Sequence, residues 1–402
     1  FLNQYTLQRL IKKYSDYIRY PIQMAFTVKG KEGEADTQEV RTLNSMTPLW
    51  VKSKNEIKPE EYNQFYKDVF HAWDDPLEVM HTKAEGAVEY TTLLFIPAHA
   101  PFDFYQRETN TGIRLYSKNV FVMDNYQDLL PEYLRFVRGL VDSPDFSLNI
   151  SRELLQHSNQ LKKIGKNLEK TIFKTLEKML EKDRDKYKKF WQEYGKAIKN
   201  GTYADFANRD KLQTLLMFPS SHSVDELTTF DEYIARMPAG QTVIYYATGK
   251  DRSSVARLPQ MEILKEKGLE VLYLFDRVDE FAIDSLREYK EKKFQSISRG
   301  DLKLQELDSP KDKKDDEPAD KENESLIAAV KEQLKGKVTD VKISQRLKTS
   351  PVCLVSGDEG ISLSMEQILS EMDNSMYKAS RILELNPDHE LFGVLRELHA
   401  VA

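Results

Sequence analysis

The chain has 402 residues, 40% of them hydrophobic and 10% aromatic, with 59 Lys and Arg against 65 Asp and Glu for a net charge of −6. That aromatic content excludes a disordered chain. The single cysteine, Cys353, excludes a disulfide scaffold, and no apolar run approaches the ~18 residues of a membrane helix. The length allows two to four domains at ~100–200 residues each. The chain opens at Phe1 within a helical pattern, with no charged leader or small-residue cleavage site before it. The expectation is a piece of a longer protein.

Residues 2–20 place Leu7, Leu10, Ile11, Tyr14, Tyr17 and Ile18 at helical spacing, and Pro21 ends the run. A strand follows over 22–28, then a charged, Gly-containing loop over 30–39. Pro59 suits a first helical turn, and the pattern predicts a helix through Trp73. Residues 90–97 (YTTLLFIP) and 115–123 (LYSKNVFVM) read as strands, and 129–138 as a helix. From 151 to 199 the pattern is long helix, with a polar break at 182–186. TVIYYA (242–247), a helix over 253–267 and LEVLYLF (269–275) predict a βαβ unit with parallel strands. Residues 294–298 add a strand.

Twelve of the 17 residues over 308–324 are charged, and none is aromatic or a large aliphatic. Such a stretch buries too little surface to offset its ordering entropy and reads as a linker. Beyond it come elements near 326–334, 352–355 and 362–376. The expected fold class is α/β. Two layered α/β/α units, 1–160 and 206–307, flank a helical connector (161–205); the linker then leads to an incomplete α+β dimerisation domain over 326–402.

The seven histidines and Cys353 have no metal-ligand spacing. Gly249-Lys250 lies between a strand and a helix, where a phosphate loop would sit. Ile244 stands where the first glycine should be and Asp251 where Ser/Thr would hold magnesium, so the residues read as an ordinary turn. Residues 161–200 hold 13 basic against 6 acidic side chains. These interleave at helical spacing, as a solvated helix face does, and predict no nucleic-acid partner. In SPDFSLNISRELLQ (143–156), Asn149 and Ser151 are N-cap types and Arg152 falls near a helix start. A cation there opposes the helix dipole at ~0.3–1 kcal/mol. Either an anion or a nearby acid such as Asp145 would account for it.

RGLVDSPDFSLNISRELLQ (138–156), EYTTLLFIPAHAPFDF (89–104), VFVMDNYQDLLPEY (120–133) and TVIYYATGKDRSSVARLPQMEILKEKGLEVLYLFDRVDE (242–280) together closely resemble the ninety-kilodalton heat-shock protein family, in its bacterial type. The resemblance covers nearly the whole chain. It implies the middle domain and part of the carboxy-terminal dimerisation domain of a cytoplasmic, stress-responsive, homodimeric chaperone. That chaperone folds proteins with ATP and magnesium bound in an amino-terminal domain that nothing here matches. By the same resemblance, Arg152 and Gln156 contact the γ-phosphate held by that domain, and this chain alone is not expected to bind or hydrolyse ATP. Trp50, Glu280 and Phe281 match client-binding positions; bacterial members often carry Trp where this chain has Phe281. Ile361, Met365, Ile368, Leu369 and Met372 form a methionine-containing stripe suited to unfolded clients, although the spacing there departs from the family by one residue. Unfolded clients and possible co-chaperones are the implied partners, with no membrane. The competing readings are an α/β enzyme with a site at Gly249–Arg252 and an ATP-independent interaction scaffold.

Overall fold

The structure, a computed structural model, describes residues 3–28, 37–86, 88–106, 112–146, 159–302, 304, 321–371 and 376–401. The chain is mixed α/β and divides into two compact units, Phe1–Ile198 and Lys199–Ala402.

In the first unit, α1 spans Gln4–Tyr14. The expected helix through residue 20 ends early because the Asp16 carboxylate accepts from Lys12 Nζ (2.9 Å) and from the Ser45 N–H (2.8 Å), which draws the chain out of the helical path. β1 (Gln23–Val28) pairs antiparallel with β2 (Thr37–Thr42). β2 takes in the end of the expected loop, and residues 29–36 lie outside the described residues. α2 (Pro59–Phe70) has Pro59 at its first position and stops at His71, which takes a left-handed conformation and leaves Trp73 beyond the helix.

The main sheet contains β3 (Pro76–Ala84), β4 (Tyr90–Pro97), β5 (Ile113–Ser117), β6 (Val120–Tyr126) and β7 (Arg138–Asp142), in the order β3-β4-β7-β5-β6. The single strand expected over 115–123 is a hairpin. Lys118 and Asn119 turn it with φ values of 50° and 68°, the two positive angles of a type I′ turn. The helix expected over 129–138 is instead two 3₁₀ turns, Gln127–Leu129 and Glu132–Leu134, followed by β7. Pro131 between the turns has no N–H to continue a helix, and Tyr133, Leu134, Phe136 and Val137 are all buried, a pattern no single helical face provides. Trp50, Phe65 and Tyr66 pack over Leu93, Phe95 and Leu140. α3 (Asn159–Lys182) and α4 (Arg184–Ala204) carry the expected apolar stripes. Their break narrows to Asp183, whose carboxylate accepts the Lys186 N–H (3.1 Å) and caps α4.

The second unit holds α5 (Arg209–Thr214), the β8 (Met217–Pro219) and β9 (Leu227–Thr229) pair, and α6 (Phe230–Arg236). A four-stranded sheet follows. It contains β10 (Val243–Thr248), β11 (Leu272–Leu274), β12 (Glu288–Tyr289) and β13 (Lys292–Ser296), in the order β11-β10-β13-β12. β10 runs parallel to β11 in the expected βαβ manner, Tyr246 opposite Leu272. The crossover is not one helix: α7 (Arg252–Ala256) and α8 (Glu262–Glu266) are separated by a 3₁₀ turn that begins at Pro259. α9 (Arg277–Leu286) follows β11. Most of the expected linker lies outside the described residues, and its last residues already belong to α10 (Lys321–Gln333). A third sheet, in the order β14-β16-β15, joins β14 (Asp340–Ile343), β15 (Val352–Ser356) and β16 (Arg381–Leu385). α11 (Leu363–Glu371) and α12 (Glu390–Val401) complete the unit.

Candidate functional site

Arg152, Gln156 and Met372 lie outside the described residues. The described chain before Arg152 ends at Phe146, and its last strand is firmly held. β7 is the central strand of its sheet, between β4 and β5. Gly139 within it has φ +150°, and a Cβ there would stand 2.3 Å from the Leu93 carbonyl oxygen, so only glycine lets β7 approach β4. At the strand's end the Ser143 N–H donates to Tyr116 O (3.1 Å) and its hydroxyl to Glu89 O (2.6 Å). Phe146 is buried, and its carbonyl accepts from the Ser117 hydroxyl at 2.6 Å. Residues 143–146 are thus anchored to the sheet by hydrogen bonds and burial.

Trp50, expected on a client-binding surface, is a core residue at 1% exposure. Its ring meets the edges of Tyr17 (4.6 Å) and Phe65 (6.1 Å). Its indole N–H donates to Asp142 Oδ2 (2.9 Å), which also accepts from the Asn119 N–H (3.0 Å). Burial pushes the Asp142 carboxyl up, and the hydrogen bonds from Trp50 and Asn119 pull against that shift. A tryptophan is read as a surface anchor or as core from the same letters; the aromatic residues of α2 packed around it decide for core.

In the second unit the structure gathers several expected residues at one cleft of about 490 Å³, lined among others by Gly249, Lys250, Phe275, Glu280 and Ile368. It opens at the carboxyl ends of the parallel strands β10 and β11, where ligands of α/β sheets commonly bind. Glu280 is 4% exposed and so is not itself a surface contact. Its carboxylate accepts from the hydroxyls of Ser362 and Ser364, and the Ser362 oxygen accepts the Met365 N–H (2.9 Å). Burial pushes the Glu280 carboxyl up, opposed by those serines. An ion pair from Arg277 to Glu371 joins α9 to α11. Met365 is buried, whereas Phe281, Ile361, Ile368 and Leu369 are half-buried. Phe281 packs against Tyr203, ring centroids 6.3 Å apart. The sequence pattern holds no sign of Ser362 and Ser364 as partners of Glu280, because hydroxyls 82 and 84 positions away leave no periodic trace.

The turn at Gly249–Arg252 does not fit a nucleotide. Asp251 Oδ1 accepts the Ser254 N–H (2.8 Å) and caps a helix only five residues long. Arg252 donates to Ser220 O (2.8 Å) and lies over the Tyr273 ring. An acid at the helix start and an arginine already engaged leave no cradle for phosphate. Cys353 is buried, and burial together with Glu384 pushes its thiol up to about 12, which makes a thiolate nucleophile unfavourable. Among the described residues no three His, Cys, Asp or Glu side chains are grouped to hold a metal ion, and no helix is long and apolar enough to cross a membrane.

Residues 26–401 match the family model for Hsp90 protein, and the chain belongs to that family. It is 49% identical over 403 residues to Chaperone protein HtpG of Clostridium acetobutylicum, covering 98% of this chain and 64% of that protein. Chaperone protein HtpG of Clostridium botulinum strain Loch Maree is 47% identical over 406 residues, and that of Bacillus subtilis strain 168 is 46% identical over 404; each match covers 99% of this chain and 64% of the relative. The chain thus spans 64% of the length of these curated relatives.

Proposed function

We propose that the chain serves as the middle and carboxy-terminal portion of an ATP-dependent molecular chaperone that works as a homodimer in the cytoplasm. In this reading Arg152, supported by Gln156, reaches the γ-phosphate of magnesium-bound ATP held by an amino-terminal region outside the match. Unfolded or partly folded clients meet the half-buried apolar residues Phe281, Ile361, Ile368 and Leu369, of which Ile368 lines the cleft, and co-chaperones act on the same cycle. The observation that carries the reading is the 46–49% identity to chaperones along 98–99% of the chain. Against the rival α/β enzyme stands the Gly249–Arg252 turn, whose Asp251 and Arg252 are committed to capping and packing.

An arginine supplied from outside a nucleotide pocket can contribute ~10³–10⁵ in rate by stabilising transition-state charge. Arg152→Ala in the full-length chaperone should lower the ATPase kcat by at least about tenfold while leaving ATP affinity near the wild-type value. An unchanged kcat would remove Arg152 from the cycle. Calorimetry of this chain with Mg-ATP supplies the complementary test: tight binding would favour the enzyme reading over the chaperone one.

A further inference from the structure

β3 is an edge strand, paired with β4 on one side and, among the described residues, with no strand on the other. Edge strands present a row of free N–H and C=O groups to any extended chain that approaches. Here the free edge lies in a groove of about 510 Å³, with β3 residues 78–82 on one wall and Thr171, Thr175, Lys178 and Lys182 of α3 on the other. His81 and Met80 are both buried, on opposite sides of the strand. The His81 Nε2–H donates to Trp50 O (2.9 Å), and its Nδ1 accepts from the Tyr62 hydroxyl (2.8 Å), which fixes the strand's position from the α2 side.

The charge in this groove is one-sided. Lys54, Lys178, Lys182 and Lys186 line it, against two carboxylates, Glu78 and Asp183. Both acids are committed. Glu78 pairs with Lys186 at 2.6 Å, and Asp183 caps α4. Among the described residues, Lys54, Lys178 and Lys182 take part in no ion pair, and all three are exposed. Lys54 stands on the α2 side of the edge, and Lys178 and Lys182, one helical turn apart, stand on the α3 side. A strand laid against β3 would send alternate side chains to these two flanks. Acidic residues at either parity would find a free ammonium.

We propose that this groove docks an extended acidic polypeptide segment, which adds to the free edge of β3 as a sixth strand, with the backbone supplying affinity and the lysines selecting negative charge. The bulge between Pro76 and Glu78 and the Glu78–Lys186 pair close one end, so pairing runs over residues 79–84. The proposal stands on the first unit alone and does not depend on the chaperone reading.

Fluorescence anisotropy of a labelled peptide of about ten residues, alternating Glu and Val, tests it on the whole chain. Binding should weaken as salt rises and should be absent for the matching Lys-Val peptide. Lys178→Glu with Lys182→Glu should weaken it by at least about tenfold, with a thermal melt confirming an intact fold. The same peptide N-methylated at alternate backbone positions, which keeps the charge and removes strand pairing, should lose a similar factor. Equal binding of the methylated peptide, or equally effective displacement by inorganic polyphosphate, would reduce the site to general electrostatics and overturn strand addition. A charge-reversed chain that keeps its peptide affinity but self-associates would show that the lysines only guard the edge, which also overturns the proposal.

Discussion

Asp142 and Glu262 are carboxylates with opposite titration behaviour, and the difference lies in how many donors each has for its burial. Asp142 is deep in the first unit with two close donors, and burial wins: its carboxyl is raised. Stability therefore falls as pH rises through its range above the ordinary Asp value. Trp50→Phe removes one donor from the charged form. The expected loss is about 1–3 kcal/mol near neutral pH, read from urea unfolding, and it should shrink once Asp142 is protonated; a loss independent of pH would mean the tryptophan acts only by packing. At Glu262 burial also pushes upward, but the Ser350 hydroxyl and the N–H groups of Lys348, Thr349 and Ser350 outweigh it and hold the carboxyl at about 2. Its contribution is complete above the ordinary Glu value and is lost as pH falls toward about 2. Glu262→Gln should therefore differ from wild type more at pH 6 than at pH 3 in urea midpoint. An equal difference at both would show that the hydrogen bonds do not depend on the charge.

At the scale of elements, the central strand β7 depends on one residue. Gly139→Ala sets a methyl against Leu93 O and against the Cα of Leu94, backbone on which no rotamer change gives relief. Overpacking costs about 1–3 kcal/mol even where side chains can move. We expect at least about 3 kcal/mol here, with hydrogen-exchange protection lost across β4 and β7; retained protection would mean the strands part without cost. This strand also shows what the letters conceal. α2 and the long helices follow from apolar periodicity, and β4 and the β10–β11 parallel pair from short apolar runs rich in β-branched and aromatic residues, so these were legible in advance. β7 and the 3₁₀ turns before it were not, because Glu132, Arg135 and Arg138 recur every third residue and mimic the polar face of a helix, while the residues between them are buried. The Lys118–Asn119 turn lacks the glycine that usually announces a type I′ hairpin. Around the site, the family resemblance pointed to Arg152, Glu280 and Phe281, but not to the Asp142 partner of Trp50 or the serines around Glu280, which are long-range contacts.

For the whole molecule, the question is which apolar groups meet clients, and burial separates the candidates. Trp50 and Met365 are buried, whereas Phe281 is half-buried on α9, with Tyr203 as its aromatic neighbour. If clients meet the chain at α9, truncating Phe281 removes contact area from the client and only a partial core contact from the chain. Trp50→Phe does the reverse, since its ring is already withdrawn from solvent. Aggregation of a heat-labile client, followed by light scattering below the melting temperature of every variant, should distinguish the two. Phe281→Ala should lose at least about half of the suppression, which a change of about 0.7 kcal/mol in client affinity near half-saturation is enough to produce. Trp50→Phe should suppress like wild type despite its lower urea midpoint. Equal losses in both would mean that suppression follows stability and not a surface. Full suppression by Phe281→Ala would move the client contact off α9, leaving Ile361, Ile368 and Leu369 as the next residues to truncate.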